Sequence, residues 1–267
     1  MKIGIIGGPF FWKLWGIEAD KIEVTTPYGE PADYLFKGNV GKHEVVSLLR
    51  HGNGNTFAPP EVPYLANVYA MGTFKPDFVI HSSACGALTE RLSSGAGGDI
   101  FLFDQLIDFT KFRPNTFGSP VFDTVHHLDF SSPVSPELID YAHKVFLENK
   151  IGHHFKGTML TEEGARFSTA AESKMYRIMG ADAVNQTSCP EVYLLRELGI
   201  PVLAISLITN SIGSDFVIDS DEITGSIKKF SQVIPSAVRL LIEKLPQDLE
   251  LRKPKVGSYD ITKFDHR

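Results

Sequence analysis

LAISLITNS, residues 203–211, is an almost unbroken apolar run that ends at a carboxamide. Seven small, branched or hydroxyl-bearing residues, Leu203–Thr209, read as a buried strand. Asn210 closes it, and Ser211-Ile212-Gly213-Ser214-Asp215 follows as a small polar loop. Asn suits turns, because it bonds its own backbone and tolerates left-handed dihedrals. A chemical role for Asn210 therefore needs partners from elsewhere in the chain.

Outward from this run, other short β-rich stretches end in glycine, polar or charged residues. They are Lys2–Ile6 before Gly7-Gly8, Glu44–Leu49 before Arg50-His51-Gly52, Asp77–Ser82 and Ile100–Phe103. Ala181–Gln186 and Val202–Ile208 each follow a predicted helix, at 170–179 and 191–198. A further helix is expected at 134–150, with apolar residues every three or four positions. A long one is expected over 221–245, with Pro235 as a kink or break. Strands alternating with helices predict an α/β fold, a single domain over residues 1–246 with a largely parallel sheet flanked by helices. Residues 247–267 read as a polar tail or edge extension. Ligands in such folds gather at the carboxyl ends of strands. Arg50-His51, Ser83-Ala84, Thr187 and Asn210 are all expected there.

The bulk composition narrows the function. The chain has 267 residues, 43% hydrophobic and 22% charged, with a net charge of −6. That balance argues against nucleic acid or an anionic membrane as the partner. No apolar run approaches the ~18–20 residues of a membrane span. The first residues read as a strand rather than a signal peptide, so a cytoplasmic protein is expected. Two cysteines, Cys85 and Cys189, make no disulfide framework. Neither a dinucleotide fingerprint nor a P-loop occurs. The paired histidines at 126–127 and 153–154 lack metal-ligand spacing, and no metal is expected. Cys85 reads as a buried structural thiol, with a nucleophile as the rival. The positive signal is anion chemistry. Arg50, His51, Ser83 and Thr187 bring a guanidinium, an imidazole and two hydroxyls to neighbouring strand ends, and small residues around Ser83 would let backbone N–H groups approach an oxyanion.

Nine ordered stretches carry a resemblance: IGIIGG (3–8), TPYGEPAD (26–33), LLRHG (48–52), YLANVYAM (64–71), SSACGAL (82–88), GDIFLFDQLIDFT (98–110), KGTMLTEEGARFSTAAES (156–173), GADAVNQTSCPEV (180–192) and SLITN (206–210). Together they resemble the methylthioadenosine phosphorylase branch of the trimeric purine nucleoside phosphorylase family, from Lys2 to about Pro246. The resemblance implies a nucleoside-phosphorylase fold with a central mixed β-sheet. It implies a cytoplasmic homotrimer that cleaves a purine nucleoside with inorganic phosphate and needs no metal or organic cofactor. Phosphate would be held by Arg50, His51, Ser83 and Thr187, and base and sugar by Ala84, Phe167, Ser168, Gln186, Asn210 and Ile212. The 5′ pocket would comprise Ser220, Ile223 and Thr224, with His127 reaching a neighbouring subunit's site.

The chain departs from the family pattern in four places. Pro9 stands where a Ser or Thr usually meets phosphate, Gln186 replaces a ribose-contacting Met, Pro63 replaces an Asn, and 94–98 carries about three extra residues. Pro9 leaves open a nucleosidase that uses water, and Pro9 with Gln186 leaves open a non-catalytic nucleoside binder. At the position of Asn210 the 6-aminopurine members carry Asp and the 6-oxopurine members Asn. Asn210 therefore implies 6-oxopurine nucleosides (inosine, guanosine, methylthioinosine), with catalysis assigned to Asn210 and 6-aminopurines as the alternative. Ser168 points the other way, since it is the serine of the 6-amino branch.

Overall fold

In the computed structural model, residues 1–7, 19–92, 100–118, 121, 127–211, 233–246 and 249–252 are described. The strands in chain order are β1 (Lys2–Gly7), β2 (Asp20–Ile22), β3 (Leu35–Val40), β4 (His43–Leu49), β5 (Phe78–Ala87), β6 (Ile100–Leu102), β7 (Gln105–Phe109), β8 (His153–Phe155), β9 (Thr158–Glu162), β10 (Ala183–Asn185) and β11 (Val202–Ser211). The helices are α1 (Tyr64–Thr73), α2 (Pro136–Glu148), α3 (Ala170–Ile178) and α4 (Glu191–Glu197). Residues 233–244 are also helical, with Pro235 in their first turn, and residues 221–232 of the expected helix lie outside the described residues.

One sheet takes all eleven strands of the described residues, in the order β2-β3-β4-β1-β5-β10-β9-β7, with β11 on β5 and the short β6 and β8 beyond it. It is mixed. β1 runs parallel to β4 and β5, and β11 parallel to β5, whereas β10 is antiparallel to β5 and β6 to β11. Side-chain alternation sends Ile3, Ile5, Val45, Leu203 and Ile205 to one face, against α2 and residues 234–245. Ile6, Val46, Leu48 and Val202 face the other side, against α1 and α4. A strand covered on both faces must be apolar throughout, which is why Leu203–Ile208 reads as a continuous run. The result is a three-layer α/β domain.

The helix termini match the chemistry expected of them. α2 begins at Ser135 with Pro136 next, and α3 opens with a capping box in which Thr169 and Glu172 satisfy each other's backbone N–H. The expected tail touches the body: Leu249 and Leu251 pack on the larger core, and Arg252 Nε lies 2.7 Å from Glu137. No described helix is long and apolar enough to cross a membrane.

Candidate active site

The sheet opens at its centre. β11 occupies one edge of β5 from Val79 to Ala87. The other edge is shared: β1 pairs only as far as His81, and β10 begins only at Gly86. Between them the edge at Ser82–Cys85 has no strand partner among the described residues. The chain leaves β4 at Leu49, opposite the last residue of β1, into Arg50 and His51, and leaves β10 into Gln186, Thr187 and Ser188. A crevice where strand direction changes is the usual ligand site of an open α/β sheet. The expectation that Ser83-Ala84 ends a strand is corrected here. Both lie inside β5, because β11 continues to pair with them beyond the end of β1. Ala84 is exposed although it sits in a central strand, as the floor of an open site requires.

A buried polar chain backs this opening. Arg50 is 1% exposed and makes a two-point contact with Glu191, Nε to Oε2 at 2.7 Å and Nη2 to Oε1 at 2.8 Å. Nη2 also reaches the Ile6 carbonyl at 3.2 Å. His81 Nδ1 lies 2.5 Å from Glu191 Oε1 and its Nε2 lies 2.9 Å from Ser188 Oγ. Burial alone would raise the Glu191 carboxyl, but Arg50 and His81 overturn that and hold it down, at about 2. His81 is lowered by burial, with Glu191 opposing. A neutral ring donating from Nδ1 to Glu191 and accepting at Nε2 from Ser188 satisfies those two partners, and Arg50 Nη2, 3.2 Å from Nδ1, then gives its hydrogens to Glu191 and the Ile6 carbonyl. The chain continues through Asn185, whose Nδ2 donates to Ser188 Oγ at 2.6 Å and to Ser83 Oγ at 3.1 Å. Ser83 Oγ is also hydrogen-bonded to Ser206 Oγ.

Two anion candidates have a nitrogen without a partner among the described residues. Nη1 of Arg50 makes no hydrogen bond among the described residues, since Glu191 and the Ile6 carbonyl take only Nε and Nη2. His51 places Nδ1 at 2.8 Å from the Phe57 carbonyl oxygen, which leaves Nε2 for a ligand. Its pKa is lowered by burial and then by the Arg50 charge. Thr187, just past the end of β10, is buried. Cys85 is buried and its thiol is pushed up to about 12, so it is a structural thiol, as expected over the nucleophile.

The aromatic candidate lies on a braced loop. Phe167 is 53% exposed, between Arg166 and Ser168. Arg166 grips Glu172 at the head of α3 through Nη1 at 2.7 Å and Nη2 at 2.6 Å. Ser168 Oγ donates to Glu162 Oε2 at 2.7 Å. Sequence reasoning assigned no role to Glu162, Glu191, His81, Asn67 or Arg113. Asn67 carries the Arg50 carbonyl on Nδ2 (3.2 Å) and the Ala32 amide on Oδ1 (2.7 Å). Arg113 donates from Nη1 to the carbonyls of Gln186 (2.7 Å) and Cys189 (2.9 Å), and from Nε to Glu163 (3.0 Å). It thereby ties the 186–189 segment to the base of the Phe167 loop. The signal that could have found these residues is a charge or carboxamide inside an apolar or helical stretch, which must be paired to be buried.

Asn210 sits at a β-bulge. The β5–β11 register shifts between Ile208 and Asn210, which re-aims the side chain. Thr209 Oγ1 lies 3.2 Å from the Cys85 carbonyl oxygen and 3.0 Å from Asn210 Oδ1, so its one hydrogen faces two acceptors. Gly86 makes room for the carboxamide, since a Cβ there would lie 3.3 Å from Oδ1 and 3.4 Å from Nδ2. Gly86→Ala is therefore expected to displace Asn210 by a few tenths of an ångström. It should lower kcat/KM about 3- to 10-fold while the melting temperature stays put. Unchanged kinetics would show that Asn210 has slack. His127 is exposed. Pro9, the 94–98 insertion, Ile212, Ser220, Ile223 and Thr224 lie outside the described residues.

Fold and site define an α/β domain with a crevice at the centre of its sheet and a rim of candidate anion ligands, and residues 2–243 match the family described as the phosphorylase superfamily. The S-methyl-5′-thioadenosine phosphorylase of Pyrococcus furiosus is 36% identical over 98% of both chains. The probable 6-oxopurine nucleoside phosphorylase of Dictyoglomus turgidum is 40% identical over 79% of this chain and 78% of that one. The structure of methylthioadenosine phosphorylase from Schistosoma mansoni in complex with tubercidin superposes with a TM-score of 0.83, at 31% identity over 91% of this chain and 90% of that one. The chain belongs to the purine nucleoside phosphorylase family, in its methylthioadenosine phosphorylase branch, and is an enzyme, a pentosyltransferase.

Proposed function

We propose that the protein phosphorolyses 6-oxopurine nucleosides, releasing the free purine and ribose 1-phosphate or its 5-methylthio analogue. The observation that carries the preference is Asn210, with Oδ1 tied to Thr209 and Gly86 beneath its carboxamide. A 6-oxopurine presents O6 as an acceptor, and its N7 becomes basic as the bond to ribose breaks. Asn Nδ2 can donate to O6, and Oδ1 can accept from N7–H. Cleavage builds positive charge on the ribose, which a phosphate dianion held beneath it stabilises. Arg50 Nη1, His51 Nε2 and Thr187 face that role, with Ser83 joining them by turning its hydroxyl from Ser206. Holding base, sugar and phosphate together makes attack effectively unimolecular. No metal or organic cofactor is needed. A homotrimer, with His127 closing the 5′ end of a neighbouring site, belongs to the same reading.

The test is product analysis on inosine, guanosine, methylthioinosine, adenosine and methylthioadenosine, with and without phosphate. Ribose 1-phosphate formed only with phosphate, and fastest from 6-oxopurine nucleosides, is expected. Free ribose formed without phosphate would identify a nucleosidase, and binding without turnover a non-catalytic relative.

His51 gives a pH signature. Its neutral ring, donating from Nδ1 to the Phe57 carbonyl, offers the anion only a lone pair at Nε2. Protonation must accompany phosphate binding, which raises a pKa that burial holds low in the free protein. Phosphate affinity is therefore expected to fall as pH rises. Calorimetry in buffers of different ionisation enthalpy, at a pH where free phosphate is already the dianion, should detect proton uptake. His51→Gln should abolish it. Zero uptake by the unmodified protein would remove His51 from the anion site.

A further inference from the structure

Gln186 has a carboxamide that can present only its oxygen. Nε2 donates to Glu162 Oε1 at 3.1 Å and to the Arg166 carbonyl oxygen at 2.9 Å, which uses both amide hydrogens. A flipped amide would set its oxygen against two groups that can only accept. Glu162 is 7% exposed, and its second oxygen takes the hydroxyl of Ser168, so the carboxylate is itself fixed. Gln186 Oε1 lies over Gly164, where a Cβ would come within 2.4 Å of it. Gly164 also has φ of +77°, so a side chain is excluded there on two grounds. No hydrogen bond reaches Oε1 among the described residues, and Gln186 is only half-buried.

We propose that Gln186 Oε1 accepts a hydrogen bond from the 2′- or 3′-hydroxyl of the ribose, and that Glu162 is the positioning residue that aims it. This rests on the placement of purine by Phe167 and Asn210 and of phosphate by Arg50, His51 and Thr187. The sugar then lies between, and Gln186 is the side chain that spans that interval. It precedes Thr187 in the chain and is bonded to the carbonyl of Arg166, next to Phe167. An aimed carbonyl oxygen in such a place selects an O–H donor. The site therefore favours ribonucleosides over the matching deoxyribonucleoside, a preference that an apolar residue at 186 could not enforce. A site built to bond a hydroxyl discriminates against the analogue that lacks it, because its own polar group is left unpaired.

The experiment is calorimetric binding of inosine, 2′-deoxyinosine and 3′-deoxyinosine to the full chain without phosphate, alongside kcat/KM with phosphate. The unmodified protein should bind one deoxynucleoside roughly 3- to 10-fold more weakly than inosine. Gln186→Leu should erase that ratio by weakening inosine alone. Glu162→Ala should also flatten it, whereas Glu162→Gln, whose amide oxygen can still accept from Nε2, should keep most of it. A purely structural role for Glu162 would lower the melting temperature and leave the ratio unmoved. If Glu162→Ala does not fold, Gln186→Leu and Glu162→Gln carry the test. Equal binding of all three nucleosides, or an unchanged ratio in Gln186→Leu, overturns the proposal while phosphorolysis stands. Failure of any nucleoside to bind overturns it together with the functional reading.

Discussion

Replacing Arg50 with alanine is expected to lower stability by about 3–5 kcal/mol, because it strands a fully buried carboxylate. Glu191 is 0% exposed and its charge is balanced by the two-point contact with Arg50. His81 alone, lowered by burial, cannot replace that charge. Denaturant unfolding should report the loss, and a loss below about 1 kcal/mol would mean the pair is dispensable. The pH dependence gives a second readout. Because the Glu191 carboxyl is depressed in the fold, its contribution is complete above the ordinary carboxylate pKa of roughly 4.3 and disappears as pH falls toward the folded value. The stabilisation should thus drain away between the ordinary range and about 2. Arg50→Ala should show a flatter acid limb. Arg50→Lys retains the charge but cannot make the fork, so it should keep some stability and still raise the KM for phosphate.

Asn210→Asp is expected to move activity toward adenine nucleosides. A carboxylate repels O6 of a 6-oxopurine, accepts from the 6-amino group of adenine and, when protonated, supplies N7. Mispaired polar groups in such a site can separate substrates by up to ~10⁴–10⁵-fold. The variant should therefore lose most of its kcat/KM on inosine and gain on adenosine or methylthioadenosine. The bulge at Ile208/Asn210 and the open floor at Gly86 hold position 210 independently of its side chain, so the change should leave the fold intact. Equal loss on both substrate classes, at unchanged melting temperature, would show that Asn210 does not read the 6-position.

Residues buried on both faces of the sheet were legible in the sequence, because continuous apolar runs such as Leu203–Ile208 leave few alternatives. The partly exposed strands β2, β3, β7 and β8 were not, since three to six residues with mixed burial carry no distinctive period, and the buried β9 is only five residues long. α1 was also missed: its residues are buried nearly all round, so no polar stripe marks it. The reach of β5 through Ser83 and Ala84 depends on β11 pairing 123 residues away, which local sequence cannot state. Asn210 and His51 stood out as polar groups at expected strand ends, and Phe167 through the family resemblance alone. Their supports did not. Glu191, His81, Asn67, Arg113 and Glu162 act through partners distant in the chain, and their pairing emerges only when the sheet closes on itself. Gln186 appeared as a polar residue on an expected apolar surface, and the structure supplies Glu162 as its partner.

The most direct test of 6-oxopurine preference holds the sugar constant and changes only the 6-position. Methylthioinosine and methylthioadenosine, offered together with phosphate in one reaction, give the ratio of their kcat/KM values from the rates of hypoxanthine and adenine release. Hypoxanthine is predicted to appear first and to dominate, and Asn210→Asp to reverse the order. Faster release of adenine by the unmodified protein would contradict the assignment of Asn210.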